Sequence, residues 1–452
     1  MVFGSRKNIH FIAVGGAIMH NLAICLSEQG HDVTGSDDII FDPSLSRLKA
    51  AGLSPKEFGW FPDKITEQID IVVLGKHARL DNPELIKAQK IGLKIHSFPS
   101  LIGELASDKF KIVIAGSHGK TTTSSMIMHC MSYHRLPHDY LVGAHLEGYR
   151  NMVQVSDAEI MVIEGDEYLS SAIDDRPKFL HYNPDILVIT GIEWDHINVF
   201  KTFEDYVDQF SKLIESCDSM TEIFVDINDK ELNNLIKQFP DRKIMTYAPF
   251  SWDNNKVEFN GEEFPLEIFG THNMSNMMAA FNVCQTQGMS AGQFLLAMQS
   301  FKGAAKRQEL IFENNSYSMY WDFAHAPSKV RATVKAFTEK FKGQKLSVIV
   351  ELHTFSSLNE SFTSLYADTL DGADAAAIFY DKENLEIKKM KPLKSQHLKE
   401  GFNRSDLVIC DDKASIYNYL ACQLKEFKGV MLIMSSGQLG GVNLLEIARE
   451  ES

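Results

Sequence analysis

No stretch of this chain approaches the eighteen or so consecutive apolar residues that a membrane-crossing helix needs. Cysteine is sparse. Cys25, Cys130, Cys217, Cys284, Cys410 and Cys422 lie far apart with no C-x-x-C pair, which excludes a disulfide framework and a structural zinc site. They read as buried thiols of a reducing compartment. Positive charge is in deficit, with 60 acidic residues against 45 basic and a formal net charge of -15. A general electrostatic footprint for nucleic acid or anionic lipid is therefore excluded. No internal repeat or low-complexity tract occurs, and a secretory leader is not expected. Arg6 and Lys7 precede the apolar stretch from Phe11 to Met19, but Gly15 and Gly16 break it, His20 and Asn21 follow, and a small-residue cleavage site is missing. The expectation is a cytoplasmic protein, without membrane insertion, that is a monomer or weak homodimer.

What is present is ordinary globular composition, 44% hydrophobic and 23% charged over 452 residues, enough for about three domains. Short apolar runs alternate with helical patterns, an α/β signature. A first series runs through Ile9 to Val14, Val33 to Gly35 and Ile71 to Leu74, with amphipathic stretches at Ala17 to Glu28 and Pro83 to Ile91. A second holds Lys111 to Ala115, Ile160 to Ile163, Ile186 to Ile192 and the helical stretch Asn273 to Gln287. The third holds Ser347 to Leu352, Ala373 to Tyr380, Leu407 to Cys410 and Val430 to Met434. Junctions near Ala106 to Lys109 and Gly303 to Arg307 predict domains over 1–107, 108–305 and 306–452.

Within the second series, Ile112 to Ala115 is an apolar strand, Gly116-Ser117-His118-Gly119 a turn, and Lys120-Thr121-Thr122 the opening of a helix. Backbone N–H groups of such a turn and helix start point at phosphate oxygens, the lysine adds a mobile charge, and the next hydroxyl can ligate Mg²⁺. The full Walker pattern asks for glycine where this chain has Ile114, so only the shorter Gly-x-x-Gly-Lys-Thr form stands. By itself that form also suits a Gly-rich turn with a solvated lysine. Two further strand patterns deliver acidic groups to a carboxyl edge, where α/β sheets place ligands. They end in Glu164-Gly165-Asp166-Glu167 and in Glu193-Trp194-Asp195-His196. Thr121, Glu164 and His196 are the candidate metal ligands.

Together with the glycine turn Val14-Gly15-Gly16-Ala17, the Asp81-Asn82-Pro83-Glu84 turn, Gly270-Thr271-His272-Asn273 and Asp322-Phe323-Ala324-His325-Ala326-Pro327, these motifs resemble the Mur ligases over nearly the whole chain. The resemblance implies three α/β domains: N-terminal Rossmann-like, central P-loop ATPase-like with a parallel sheet, and C-terminal Rossmann-like. They would hold the UDP-sugar, ATP with Mg²⁺, and the incoming amine. It further implies that Gly15, Gly16, Ala17, Asp37 and His77 bind the UDP-sugar. ATP would contact Gly116 to Thr122, His272, Asn273, Asn276, Arg307 and Asp322. Lys120, His196, Arg307 and His325 would carry the chemistry, with Lys306 competing for the role of Arg307.

The expected reaction is ATP-dependent amide formation on UDP-N-acetylmuramate through an acyl phosphate. Within the family, one relative adds L-alanine and another the tripeptide L-alanyl-γ-D-glutamyl-meso-diaminopimelate. The segments Gly75-Lys76-His77-Ala78-Arg79, Gly35-Ser36-Asp37-Asp38 and Asp322-Phe323-Ala324-His325 look more like the tripeptide enzyme, so the expected amine is the tripeptide, with L-alanine the alternative. Against it, Glu351-Leu352-His353-Thr354-Phe355-Ser356-Ser357-Leu358 stands where an arginine-containing amine motif is expected, and Ala326 replaces a second histidine. A P-loop kinase or a nucleotide-binding sensor would leave two of the three α/β series without a role. A folylpolyglutamate-synthase-like ligase would not need the N-terminal glycine turn.

Overall fold

The computed structural model describes residues 3–194, 199–253, 255–304 and 306–450. The chain divides into two compact units. One comprises Met1–Ile192, Glu204–Ala248 and Ala279–Ala297; the other comprises Glu193–Phe203, Pro249–Met278 and Met298–Ser452.

The first unit begins with β1 (Asn8–Ile12), β2 (Asp32–Ser36), β3 (Ile71–Leu74) and β4 (Lys94–Ser97), an all-parallel sheet in the order β2-β1-β3-β4. Every residue of β3 is buried, which is why Ile71-Val72-Val73-Leu74 shows no alternation. The predicted first strand reaches Val14, but β1 stops at Ile12 because Ala13 takes φ 65° and turns the chain. The helix Pro83–Lys90 starts where it does for a local reason. The Asn82 side chain accepts from the amides of Glu84 (2.9 Å) and Leu85 (3.1 Å), and Pro83 fills a first position that needs no donor. Glu84, fully buried, accepts from the Phe61 amide at 2.7 Å, so this polar turn is a staple of the fold.

A larger sheet of the same unit contains β5 (Phe110–Ala115), β6 (Asp139–Leu141), β7 (Val153–Gln154) and β8 (Ile160–Glu164). After β8 comes a hairpin of β9 (Leu169–Ser171) and β10 (Asp174–Pro177), and then β11 (Ile186–Ile189), β12 (Glu222–Asp226) and β13 (Ile244–Tyr247). The sheet order is β13-β12-β11-β5-β8-β6-β7, parallel except for β6 with β7. From β5 the chain crosses to β6 and β7 at one edge, returns to β8 beside β5, and later continues on the other side of β5 through β11. The carboxyl end of β5 thus lies where strand order reverses, the usual ligand crevice of an open α/β sheet. β11 ends at Ile189, short of the predicted Ile192. The Thr190 amide and hydroxyl both turn to the Ala115 carbonyl, at 2.9 and 3.0 Å, and fix the end of one strand to the other.

The second unit holds a hairpin, β14 (Lys256–Phe259) with β15 (Glu262–Pro265), and a six-stranded sheet. That sheet contains β16 (Glu309–Glu313), β17 (Tyr317–Asp322), β18 (Lys345–Glu351), β19 (Ala375–Phe379), β20 (Val408–Cys410) and β21 (Gly429–Met434), in the order β16-β17-β21-β18-β19-β20. Only the edge strand β16 is antiparallel. Side chains alternate across the sheet. Val348 and Val350 pack with Val330, Val334 and Phe337 of the helix Pro327–Lys340 on one face. Ile349 packs on the other with Ile416, Leu420 and Ile447, from the helices Lys413–Glu426 and Leu444–Glu450. The expected α/β class is what the chain adopts, with three larger sheets of four, seven and six strands among the described residues. Five of the cysteines are buried, but Cys422 is exposed, which corrects the reading of all six as buried thiols. No helix among the described residues is long and apolar enough to cross a membrane.

Candidate active site

The turn after β5 is shaped by glycine. Gly116 takes φ 125°, and a Cβ there would lie 2.4 Å from the Thr190 hydroxyl, so no other residue fits. Gly119, at φ 79°, caps the helix Lys120–Tyr133 without a side chain, leaving the amides of its first turn facing outward from the turn.

Four side chains behind the turn form one chain of hydrogen bonds. Lys120 Nζ donates to Glu167 Oε2 at 2.9 Å and to the Gly116 carbonyl. Tyr206 OH donates to Glu167 Oε1 at 2.9 Å, and Ser117 Oγ lies 2.8 Å from the same phenol oxygen. Glu167 has no solvent exposure, and the Lys120 side chain is 14% exposed. Burial pulls the Lys120 ammonium down, but the carboxylates of Glu167, Asp166 and Glu164 outweigh it and hold the group above its ordinary value. Lys120 is a locked cation. Beside it, Thr121 Oγ1 donates to Glu164 Oε1 at 2.9 Å, and the Gly143 amide donates to Glu164 Oε2 at 2.8 Å. His118 and Thr122 lie in the same turn and first helical step, with Thr122 buried. Asp195 and His196 lie outside the described residues.

In the N-terminal sheet, the Gly15 amide donates to Asp37 Oδ2 at 2.7 Å, and a Cβ on Gly15 would sit 2.9 Å from that oxygen. Gly16 caps the helix Ala17–Glu28 with no side chain of its own. Burial, with Asp38 alongside, pushes the Asp37 carboxyl up to about 6. His77 is exposed beyond the end of β3.

In the second unit, Asp322 ends β17 as a buried carboxylate. It accepts from the amides of Gln308 (2.9 Å) and Ala324 (2.8 Å), which fixes the Arg307–Gln308 segment to the strand. The Arg307 guanidinium lies 4.3 Å from the centre of the Phe323 ring, and His325 meets the same ring edge-on at 5.3 Å. Phe323 therefore carries both Arg307 and His325, two of the predicted catalytic groups. His325 Nδ1 is 2.8 Å from the Phe323 carbonyl. Lys306, the competing cation, stands over Trp321 at 5.0 Å instead. The first turn of the helix Thr271–Thr286 places Asn273 Nδ2 at 2.9 Å from Gln308 Oε1, with Asn276 buried and His272 next to the same glutamine. Burial lowers the His272 ring, partly offset by Asp322, so it is neutral at pH 7.

Residues 8–110 match the family described as Mur ligase family, catalytic domain, and residues 114–284 match Mur ligase middle domain. The UDP-N-acetylmuramate–L-alanine ligase of Caldicellulosiruptor saccharolyticus is 30% identical over 386 residues, covering 81% of this chain and 82% of that protein. The chain belongs to the Mur ligase family. Mur ligases are ATP-dependent ligases, and this Mur ligase is such an enzyme. Its fold is shared with a murein peptide ligase from Psychrobacter arcticus, at TM-score 0.68 and 22% identity over 98% of each chain. It is shared equally with the UDP-N-acetylmuramate–alanine ligase of Thermotoga maritima, at TM-score 0.69 and 19% identity over 99% of this chain and 98% of that one.

Three organising residues of this Mur ligase escape sequence reasoning. Glu167 stands in the acidic segment after β8, and the signal was there: a buried lysine needs a counter-charge. Tyr206 is remote in sequence and gives no signal. Phe323 lies inside a motif whose ionisable neighbours draw attention away from it.

Proposed function

We propose that this Mur ligase joins the lactyl carboxylate of UDP-N-acetylmuramate to an amine, with ATP phosphorylating the carboxylate first. The observation that carries the reading is the glycine turn with locked Lys120 and the adjacent Thr121–Glu164 oxygen pair. In this reading residues 1–107 hold the UDP-sugar, 108–305 ATP, and 306–452 the amine.

A carboxylate oxygen is a poor leaving group, and phosphorylation turns it into a good one. The attack brings two anions together, so positive charge must stand ready. Lys120 and the first-turn amides after Gly119 supply it at the phosphates, and Arg307 adds a second guanidinium-borne charge. Thr121 and Glu164 present two oxygens 2.9 Å apart at a helix start, a donor set that suits Mg²⁺, which keeps most of its shell as water and phosphate oxygen. Bound there, Mg²⁺ would offset phosphate charge; His196 is the further candidate ligand. The amine must then attack unprotonated. A neutral His325 ring donating from Nδ1 to the Phe323 carbonyl carries its lone pair on Nε2, the atom suited to take that proton. Gly15, Gly16, Ala17, Asp37 and His77 are assigned to the UDP-sugar, and His272, Asn273, Asn276 and Asp322 to the nucleotide.

For the amine, L-alanine is the first reading, supported by the 30% identical relative of that name. The tripeptide L-alanyl-γ-D-glutamyl-meso-diaminopimelate is the second, supported by the Gly75 to Arg79, Gly35 to Asp38 and Asp322 to His325 segments. The test is incubation with ATP, Mg²⁺ and UDP-N-acetylmuramate, adding either amine, with phosphate release and product mass as readouts. Phosphate release that needs both a muramate and an amine supports the ligase reading, and AMP with pyrophosphate would refute the acyl-phosphate route. Turnover with the tripeptide alone would refute the L-alanine reading.

A further inference from the structure

Lys76 follows Gly75 at the carboxyl end of β3, and the proposed chemistry leaves it without a role. Its ammonium nitrogen is buried, yet it has no hydrogen-bond partner among the described residues. It lies over the face of the Tyr168 ring, one residue beyond Glu167. The acid whose charge acts on it, Asp166, is already paired with Lys178, whose own ammonium stands 5.7 Å from that ring. Of these two cations, it is Lys178 that makes the ion pair with that carboxylate. Burial and the neighbouring Lys178 bring the Lys76 ammonium down to about 8, while Asp166 opposes them.

An ammonium taken from water without an acceptor is destabilising, and a methionine of similar length would fill the space without that cost. An unpaired buried cation therefore points to a ligand that pairs with it. Its position says which. The Gly75 amide donates to the Ile12 carbonyl at 2.8 Å, and the space above Gly75 is closed by Ala13, whose carbonyl is 2.9 Å from where a Cβ would stand. Lys76 therefore follows a backbone contact with Ala13, two residues before Gly15, and stands over Tyr168, one residue beyond the partner of Lys120.

We propose that Lys76 binds an anionic oxygen group of the nucleotide-sugar substrate, either its diphosphate or its lactyl carboxylate. The inference rests on the UDP-sugar reading above and adds a residue to it. The ligand supplies the acceptor that the free protein lacks, and Tyr168 holds the ammonium in place until it arrives.

Calorimetric titration of the full-length protein with UDP, UDP-N-acetylglucosamine and UDP-N-acetylmuramate tests it, comparing wild type with Lys76→Met and Lys76→Gln. Both variants should lose about ten- to a hundredfold in affinity for UDP-N-acetylmuramate, the effect of one charge-assisted hydrogen bond. The melting temperature of free Lys76→Met should meanwhile stay level or rise. Loss confined to UDP-N-acetylmuramate places Lys76 on the carboxylate; equal loss for all three places it on the diphosphate. Unchanged affinity in Lys76→Gln overturns the inference alone, whatever happens to the melting temperature of Lys76→Met. Failure of the wild type to bind any of the three would overturn the UDP-sugar reading as well.

Discussion

Glu167→Gln is the sharpest single perturbation of the phosphate turn. In the resting protein the fully buried Glu167 accepts from Lys120 and Tyr206, each at 2.9 Å. Removing one partner of a buried ion pair costs about 3–5 kcal/mol. Glutamine keeps one acceptor oxygen, which recovers about 1 kcal/mol and leaves a net loss of roughly 2–3 kcal/mol after discounting for the slight exposure of Lys120. At about 2–4 °C per kcal/mol for a unit of 150–250 residues, the melting temperature should fall by roughly 4–12 °C. ATP phosphates would return a counter-charge to Lys120, so the nucleotide-bound state loses less. The rise in melting temperature on adding a non-hydrolysable ATP analogue with Mg²⁺ should therefore be larger in Glu167→Gln than in wild type. Differential scanning fluorimetry with and without the analogue reads both quantities. A variant as stable as wild type, or an equal rise in both proteins, would refute the account of Lys120 as a cation locked by Glu167.

Lys120→Met should lower the rate of amine-dependent phosphate release by at least about a hundredfold, the usual effect of losing a charge aimed at a transition state. Retention of most of the rate would remove Lys120 from the chemistry. Glu164→Gln keeps the acceptor for Thr121 but weakens the oxygen pair, so half-maximal activity should require more Mg²⁺. An unchanged metal titration rules Glu164 out as a ligand. Asp37 is held at about 6 in the fold against about 3.9 in the unfolded chain. The folded state therefore binds more protons between those values, and the contribution of Asp37 to stability is present at low pH and lost as pH rises from about 4 to 6. Asp37→Asn should lack that decline; parallel profiles of melting temperature against pH for the two proteins would refute it.

The α/β architecture was legible because both faces of its parallel strands are buried, leaving unbroken apolar runs such as Ile71 to Leu74 and Ile186 to Ile189. The ends of those runs were not. Ile192 is as apolar as Ile189, but Gly191 takes φ 152° and the Ile192 amide goes to Asp229 Oδ2 at 2.8 Å instead of to the ladder. The phosphate turn could be read from Gly116 to Thr122 because glycine, lysine and threonine occupy consecutive positions with distinct tasks. The groups that hold it could not. Tyr206 reaches Glu167 across 39 positions, a meeting that depends on how the helix Phe203–Ser216 lies on the sheet. The Asn82-Pro83-Glu84 turn is visible as a motif, while its service as a helix cap and buried tether depends on Phe61, 23 positions from Glu84, folding back onto it.

The hydrogen-bond chain behind the turn also has a direction. A carboxylate only accepts, so the Tyr206 proton must go to Glu167, and the Tyr206 oxygen then has no proton left for Ser117. Ser117 has to give its own. Its amide is likewise committed, to the Gly191 carbonyl at 2.9 Å. Although it sits in the middle of the signature, Ser117 turns its amide to Gly191 and its hydroxyl to the Tyr206 phenol behind the turn. In the proposed ATP reading, recognition of an incoming phosphate falls mainly to the groups on either side, and Ser117→Ala should weaken nucleotide binding less than Lys120→Met does while loosening the wall behind the turn.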